Sequence, residues 1–287
     1  MLWFVFSLLT AISEATKDAI SKKGLERMDE YMVAWLVRFM PLPFFLILLL
    51  FVDIPPIDTT FWIALVGGGT INVIATIMFV KAIKISPLSL TLPMLTFTPI
   101  FLLLTSPIMV GEFPSLIGIA GILLIVLGAY MLNIKDRKRG IFSPFRSLVK
   151  ERGPLLMLCV AAMWSITSNF DKIGMVHSNL VFWLVSVYAF LSVFLFLIML
   201  CKSKRKLSKL KNNVKIIPLF GIVPAMIGIF QMTALTLTIV PYVISIKRTS
   251  SIFGTLYGYF LFREKEIKQR MLGAVIMVMG VLLITLF

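Results

Sequence analysis

The stretch that decides the fold is residues 111–133, GEFPSLIGIAGILLIVLGAYMLN, which begins with Gly-Glu and continues as an apolar run that includes Gly121 and Gly128, seven residues apart. The same positions return in the second half of the chain, 152 residues later. The matched pairs are Ala82 and Ala234, Glu112 and Glu264, Gly121 and Gly273, and Gly128 and Gly280. A fixed offset of this kind indicates an internal duplication.

The composition around this repeat is that of a membrane protein. Of the 287 residues, 59% are hydrophobic and only 14% are charged, with a mean hydropathy of +1.00. Ten apolar segments have about the length of a membrane-spanning helix, and lipid favours helices for such runs. They cover residues 2–21, 31–52, 60–82, 87–108, 114–133, 154–174, 178–201, 216–238, 241–262 and 269–287.

The longest polar connection divides these segments into two sets of five. We therefore predict a first five-helix repeat over residues 1–133, a basic connecting loop over 134–153 and a second five-helix repeat over 154–287. An odd number of spans in each half places the second half upside down. The predicted fold is an all-α polytopic membrane protein with ten transmembrane helices in two inverted repeats.

The basic residues test this topology. The net charge is +15, and 23 of the 28 Lys and Arg residues fall in connections on one side, against one on the other. The positive-inside rule places the basic side in the cytoplasm and both termini outside, in the cytoplasmic (plasma) membrane. Because the positive charges mark topology in this way, they do not indicate nucleic-acid binding.

Several short motifs resemble the EamA-type repeat of the drug/metabolite transporter superfamily. They are residues 81–87 (KAIKISP), Gly-Glu at 111–112, and Arg-Glu at 263–264, where Gly-Glu is usual. Trp164 matches a tryptophan often found in the first helix of such a repeat, whereas the first repeat has Glu14 at that position. The resemblance implies two inverted bundles around a central cavity. It also implies cytoplasmic termini in many members, against the charge count here.

Three ionisable residues in the first segment are the sharpest candidates for a binding site. Glu14, Lys17 and Asp18 share one helix face, and Glu14 lies about 18 Å along the helix, near the membrane midplane. Charged groups at that depth are costly, which favours a function. The trio either binds and releases a proton while substrate competes for the site, or forms a packed ion-pair network.

The ninth segment carries two adjacent cations, Lys247 and Arg248. Arg suits bidentate binding of a carboxylate or phosphate, so the pair predicts recognition of an anionic substrate group. The alternatives are pairing with an acidic side chain such as Glu14 or Asp171, or reaching to the outer headgroups. Arg38, in the second segment, either balances the acidic residues of the first segment or reaches the membrane surface.

Polar and aromatic residues in other segments complete the candidate site. Asn72, Trp164, Asn169 and Tyr257 are predicted to line the cavity, although packing between helices is the alternative for the asparagines. Asp171 and Lys172 are expected to form an interfacial ion pair. The fourth segment contains four prolines, which predict either a broken helix beside the site or a curved packing helix. They are Pro87, Pro93, Pro99 and Pro107.

These features favour a secondary active transporter that moves a small polar or amphipathic metabolite or drug by alternating access. No ATP-binding motif occurs, so a proton gradient is the expected energy source. The alternatives are a membrane-embedded lipid-processing enzyme and a non-transporting sensor or scaffold, but clustered acid–base or nucleophilic groups are missing from the sequence. We expect no cofactor, metal or nucleic acid. The expected partners are membrane lipids, the substrate and protons, for a monomer or homodimer.

Overall fold

The computed structural model describes residues 1–25, 28–86, 94–133, 151–203, 217–262 and 267–286. The regular secondary structure of these residues is helical throughout. The helices are α1 (Leu2–Leu25), α2 (Glu30–Phe39), α3 (Leu42–Leu49), α4 (Thr59–Ile63), α5 (Gly69–Ile85), α6 (Thr98–Val110), α7 (Leu116–Asn133), α8 (Arg152–Val176), α9 (Leu180–Lys202), α10 (Ile217–Leu237), α11 (Val240–Lys247), α12 (Ser250–Phe262) and α13 (Ile267–Leu286). One π-helical turn, Ala64–Gly68, joins α4 to α5.

Five helical stretches are long and apolar enough to cross a membrane. They are Glu30–Leu49, Thr59–Ala82, Arg152–Val176, Leu180–Lys202 and Ile217–Leu237. Shorter apolar helices cover Thr98–Val110, Leu116–Met131 and Leu272–Leu286. The chain is therefore a multi-pass membrane protein, whereas the count of ten spans and the boundaries of the two repeats stay predictions.

Some predicted segments are interrupted. The second breaks between α2 and α3 at Met40 and Pro41, where proline lacks the N–H that would continue the helix. Two further breaks lie at Thr96–Phe97, just before α6, and at Arg248–Thr249, between α11 and α12. These last two are separated by the repeat offset of 152 residues, so equivalent helices of the two halves break at the same place.

The local hydrogen bonding explains both of these breaks. The bonds shorten from i→i−4 to i→i−3, as from Phe97 N to Met94 O and from Thr249 N to Ile246 O. A threonine hydroxyl also donates to the carbonyl three residues earlier at each break, from Thr98 to Leu95 and from Thr249 to Ile246. In the fourth segment Pro99 follows the break directly. Pro87 and Pro93 lie outside the described residues.

The helices pack in matched pairs. Helix α1 of the first repeat packs against α10, α11 and α12 of the second repeat. In return, α8 of the second repeat packs against α5 and α6 of the first. Two other contacts join a helix to its own counterpart, α7 to α13 and the α2–α3 segment to α9. Two copies of one unit related by a two-fold axis produce this pattern, and the two-repeat layout therefore fits the structure.

The contact between α7 and α13 uses the glycines of the repeat. A Cβ added at Gly280 would lie 2.5 Å from the carbonyl oxygen of Gly121, and one at Gly128 would lie 2.5 Å from that of Gly273. Since Gly121 faces Gly280 and Gly128 faces Gly273, the two helices run antiparallel. Small residues at these four positions let the backbones approach closely.

Candidate functional site

A charged cluster joins the first helix of one repeat to the broken helix of the other. Glu14 Oε1 lies 2.5 Å from Lys17 Nζ, and its Oε2 lies 3.5 Å from Lys247 Nζ at the end of α11. Lys17 Nζ is also 3.3 Å from Asp18 Oδ1. The side chains of Glu14, Lys17 and Lys247 are 19%, 21% and 18% exposed, whereas Asp18 is 67% exposed. The ion pairing that the sequence allowed is present, and a role in binding stays a prediction.

Gln231, on α10, holds Lys247 from the other side. Its Oε1 accepts a hydrogen bond of 2.8 Å from Lys247 Nζ, and the residue is buried. Lys247 is thus fixed between a carboxylate of α1 and an amide of α10. We therefore add Gln231 to the candidate site.

Arg248 lies at the second helix break and reaches the first. Its Nη2 donates to Thr98 Oγ1 at 2.7 Å, across from the break at Thr96–Phe97. Its Nε is buried and has no hydrogen-bond partner among the described residues. The two breaks therefore meet around one guanidinium. Sequence reasoning missed Thr98, because nothing local marks a contact between residues 150 positions apart.

A contact between Tyr257 and Thr16 connects α12 to α1. Their hydroxyl oxygens are 3.0 Å apart, and Thr16 also donates to the carbonyl of Ile12 at 2.9 Å. Thr16 therefore donates within its own helix, which leaves Tyr257 as the donor in the contact between helices. Thr16 lies between Glu14 and Lys17 in the sequence, and the lining of a cavity by Tyr257 stays a prediction.

Arg38 lies near the charged cluster, within electrostatic range of Lys17 and Lys247. Its guanidinium carbon is 5.4 Å from the centroid of the Tyr188 ring, a cation–π distance. Among the described ion pairs Arg38 is not a partner of Glu14 or Asp18, so the predicted charge balance with the first segment is not formed as a direct contact.

The predicted pair between Asp171 and Lys172 is wrong. Asp171 Oδ1 accepts from Trp183 Nε1 at 3.0 Å, and Lys172 Nζ lies 3.1 Å from Glu112 Oε1. Each side chain is thus held by a partner on another element, Asp171 by α9 and Lys172 by the residue after Gly111. Glu112, which the sequence marked as a repeat position and as part of the Gly-Glu motif, is thereby a partner in an ion pair, with its side chain 14% exposed.

Asn169 packs rather than lines an open site. It is fully buried on α8, where its Oδ1 accepts from Ser106 Oγ at 2.7 Å. Its Nδ2 donates to Thr105 Oγ1 at 3.0 Å and to Ser165 O at 3.1 Å. All of its contacts are within protein, as the packing alternative predicts.

Asn72 and Trp164 differ from Asn169, because each has a buried polar atom without a hydrogen-bond partner in the described part of the chain. These atoms are Asn72 Oδ1 on α5 and Trp164 Nε1 on α8. The Trp164 ring lies 5.6 Å from the ring of Phe79, which shares a face of α5 with Asn72. An unpaired buried donor or acceptor costs about 1–3 kcal/mol, so both atoms are suited to a ligand or water.

Comparisons with known proteins agree with this architecture. A model of the EamA-like transporter family matches residues 1–134 and 151–286. No curated protein matches significantly. Among solved structures 26 chains match. One, a crystal structure, has a TM-score of 0.74 at 14% identity, and the alignment covers 99% of this chain and 96% of that one. At that identity the likeness concerns the fold alone.

Proposed function

This chain belongs to the EamA-like transporter family, and from that premise we propose that it is a secondary active transporter of a small anionic, amphipathic metabolite or drug. Transport would proceed by alternating access across the plasma membrane, with the basic connections in the cytoplasm. The observation that carries the proposal is the meeting of two broken helices at Arg248, since discontinuous helices border the binding sites of many secondary transporters.

The charges of the site support an anionic group on the substrate. Glu14 is already held by two ammonium groups, from Lys17 and Lys247. Arg248 lies within range of the charges of Glu14 and Asp18 but forms no salt bridge with a described carboxylate, and its described side-chain hydrogen bond goes to the neutral hydroxyl of Thr98. A guanidinium presents several N–H donors in a fixed plane, a geometry that matches a carboxylate or phosphate.

We expect proton coupling to result from competition between Glu14 and the substrate for Lys247. When the anionic group of the substrate reaches Lys247 and Arg248, it displaces Glu14 from one of its two cations. Glu14 is then free to take up a proton, and loss of that proton restores the pair with Lys247. Substrate and proton would thus alternate at one place on the α1–α11 contact.

A second group of side chains, on α5 and α8, would accept an apolar portion of the substrate. Trp164 and Phe79 offer aromatic surface, and the unpaired Trp164 Nε1 and Asn72 Oδ1 offer one donor and one acceptor. A substrate with an aromatic or aliphatic body and one hydroxyl or amide would satisfy both atoms. Membrane lipids cover the outer, apolar faces of the helices.

The test is uptake into proteoliposomes. A panel of labelled carboxylates and phosphate esters, with cationic and neutral compounds as controls, is measured with and without a pH gradient. We expect saturable uptake of at least one anion that an inward proton gradient changes. Uptake confined to cations, or absent from the whole panel in protein shown to be folded, would contradict the proposal. Arg152→Gln, at an exposed arginine, is the matched control for substitutions at Arg248.

A second experiment tests orientation. A single cysteine replaces Lys209, in the basic connection between residues 202 and 215, after Cys159 and Cys201 have been changed to Ser. We expect an impermeant maleimide to label this cysteine only in inside-out vesicles. Labelling of intact cells would place the basic connections outside.

A further inference from the structure

The Gly-Glu motif of the first repeat, Gly111 and Glu112, forms contacts that are separate from the charged cluster. α6 ends at Gly111, whose left-handed backbone (φ 68°) turns the chain sharply. Glycine adopts this conformation without steric cost. The turn directs Glu112 away from its own repeat, and its side chain is only 14% exposed.

Glu112 contacts the second repeat with both carboxylate oxygens. Oε2 accepts a hydrogen bond of 2.6 Å from the backbone N–H of Val240, at the start of α11. Oε1 lies 3.1 Å from Nζ of Lys172, near the end of α8. Hydrogen bonds in which one partner is charged are about twice as strong as neutral ones, and a carboxylate at a helix start also complements the helix dipole.

Lys172 extends the contact to a third helix. Its Nζ donates to the carbonyl of Thr238 at 2.9 Å and to that of Leu235 at 2.5 Å, at the end of α10. A cation at the end of a helix is again favourable. Glu112 and Lys172, with the backbone groups of Leu235, Thr238 and Val240, are called the Glu112 clasp below.

The clasp holds the two repeats together at one end of the molecule. The α6–α7 connection belongs to the first repeat, whereas α8, α10 and α11 belong to the second. A movement of one repeat relative to the other that opens this end must separate Glu112 from Val240 or from Lys172. The helix break at Arg248 lies at the far end of α11, so the clasp and the charged cluster are attached to opposite ends of the same eight-residue helix.

We propose that the Glu112 clasp is the latch that keeps this end of the transport pathway closed, and that its release opens the pathway here. The inference rests on the proposed function, because a pathway that alternates between two ends needs a closure at each. Through α11 the latch is also connected to Lys247 and Arg248, so occupation of the site and release of the latch can influence each other.

The experiment measures accessibility rather than transport. Cys159 and Cys201, both free, are changed to Ser, and a reporter cysteine replaces Ser168. Ser168 lies one turn before Lys172 on the same face of α8 and is 7% exposed. The rate of labelling by an impermeant maleimide is then measured on the purified protein.

We expect Glu112→Gln and Lys172→Met each to raise the labelling rate of the Ser168→Cys reporter about tenfold, because each removes a charge-assisted contact. The double variant should gain little more, since both changes break one latch. Lys172→Arg, which keeps the charge, should stay near the parent rate. An unchanged rate in both single variants would overturn the proposal.

Two controls separate a latch from general loosening. The exposed contact at the same end, 2.6 Å from His177 Nδ1 to Asp58 Oδ2, is broken by Asp58→Asn and should leave the labelling rate unchanged. A second reporter, Ser192→Cys, lies buried on α9, which the clasp does not touch. If Glu112→Gln exposes Ser192→Cys as much as Ser168→Cys, the clasp is only structural and the proposal fails.

The outcome is independent of the substrate. Faster labelling of the Ser168→Cys reporter in a protein that transports none of the anions tested would support the latch and count against the proposed function. Proton-dependent anion uptake with unchanged labelling would do the reverse. Should Glu112→Gln fail to fold, Lys172→Met and Lys172→Arg give the same comparison at the other side of the ion pair.

Discussion

The α7–α13 contact and the central charged cluster both lie where the two repeats meet. Only the α7–α13 contact has the same residues at matched positions of the two repeats. At the α7–α13 contact the matched positions carry the same residue, glycine facing glycine in both crossings. At the helix breaks the matched positions differ: Lys247 and Arg248 of the second repeat correspond to Leu95 and Thr96 of the first. The two repeats therefore share the residues that pack the helices together, and they differ in the residues that carry charge.

This difference has a physical reason. Close backbone packing around a two-fold axis makes the same demand on both copies, because each helix fills the space left by its counterpart. A small substrate has no such symmetry, so a site on the axis that binds it in one orientation must present different groups from each side. In the proposed site the charges lie on α1 and α11, and the aromatic side chains lie on α5 and α8.

The largest effect is expected at the symmetric contact. Gly128→Ala places a methyl group 2.5 Å from the backbone oxygen of Gly273, which no rotamer change can relieve. We expect the helices to separate at a cost of about 1–3 kcal/mol, seen as a lower melting temperature in detergent. Gly254→Ala is the control, since a Cβ there meets nothing within 4 Å. Equal losses at both positions would show that the close contact is unimportant.

The second effect tests the chemical asymmetry. Arg248→Met should lower anion uptake about a hundredfold, because the substrate loses a desolvated charge partner, while Arg248→Lys keeps part of the activity. The matched change in the first repeat, Thr96→Val, should reduce uptake far less. Comparable losses at Thr96 and Arg248 would mean that the two breaks contribute alike, and the comparison would no longer hold.

The third effect concerns Glu14. Glu14→Gln keeps the volume of the side chain and removes its charge, so it should abolish the response of uptake to a pH gradient. Uptake without a gradient should fall by about tenfold or less, the value of one charge-assisted hydrogen bond. Gradient-dependent uptake that survives in Glu14→Gln would eliminate this residue as the proton site. Lys202→Met, at an exposed lysine, is the control for a general change in charge.

The sequence predicted the fold more completely than the site. Apolar length, the glycine pairs and their offset specified helical segments and an internal repeat, because these depend on local composition. Pro99, one of the four prolines that predicted a broken or curved fourth segment, lies beside the break at Thr96–Phe97. The break at Arg248–Thr249 contains no proline, and only its correspondence with Thr96–Phe97 would have predicted it.

Contacts between distant residues were the least predictable. Glu112 contacts Lys172 and Val240, which lie 60 and 128 positions away in the sequence. The residues next to Glu112 in the sequence do not indicate either partner. The pair expected between Asp171 and Lys172 is absent because each side chain has a partner on another element, Trp183 for Asp171 and Glu112 for Lys172. Glu14 and Lys247 did meet, because costly charges in two apolar segments have few ways to be stabilised except by each other.

The smallest effect is expected on the aromatic side, where stability and function should change in opposite directions. Asn72→Leu removes a buried acceptor that has no partner in the described structure, so the empty protein should keep or gain stability, by up to about 1 kcal/mol. If Asn72 serves the substrate, uptake should still fall about threefold, the value of one neutral hydrogen bond. Asn169→Leu is the matched control: its three hydrogen bonds are all made within the protein, so its loss should lower the melting temperature. If Asn72→Leu destabilises the protein as Asn169→Leu does, Asn72 packs helices, and the substrate meets no acceptor on α5.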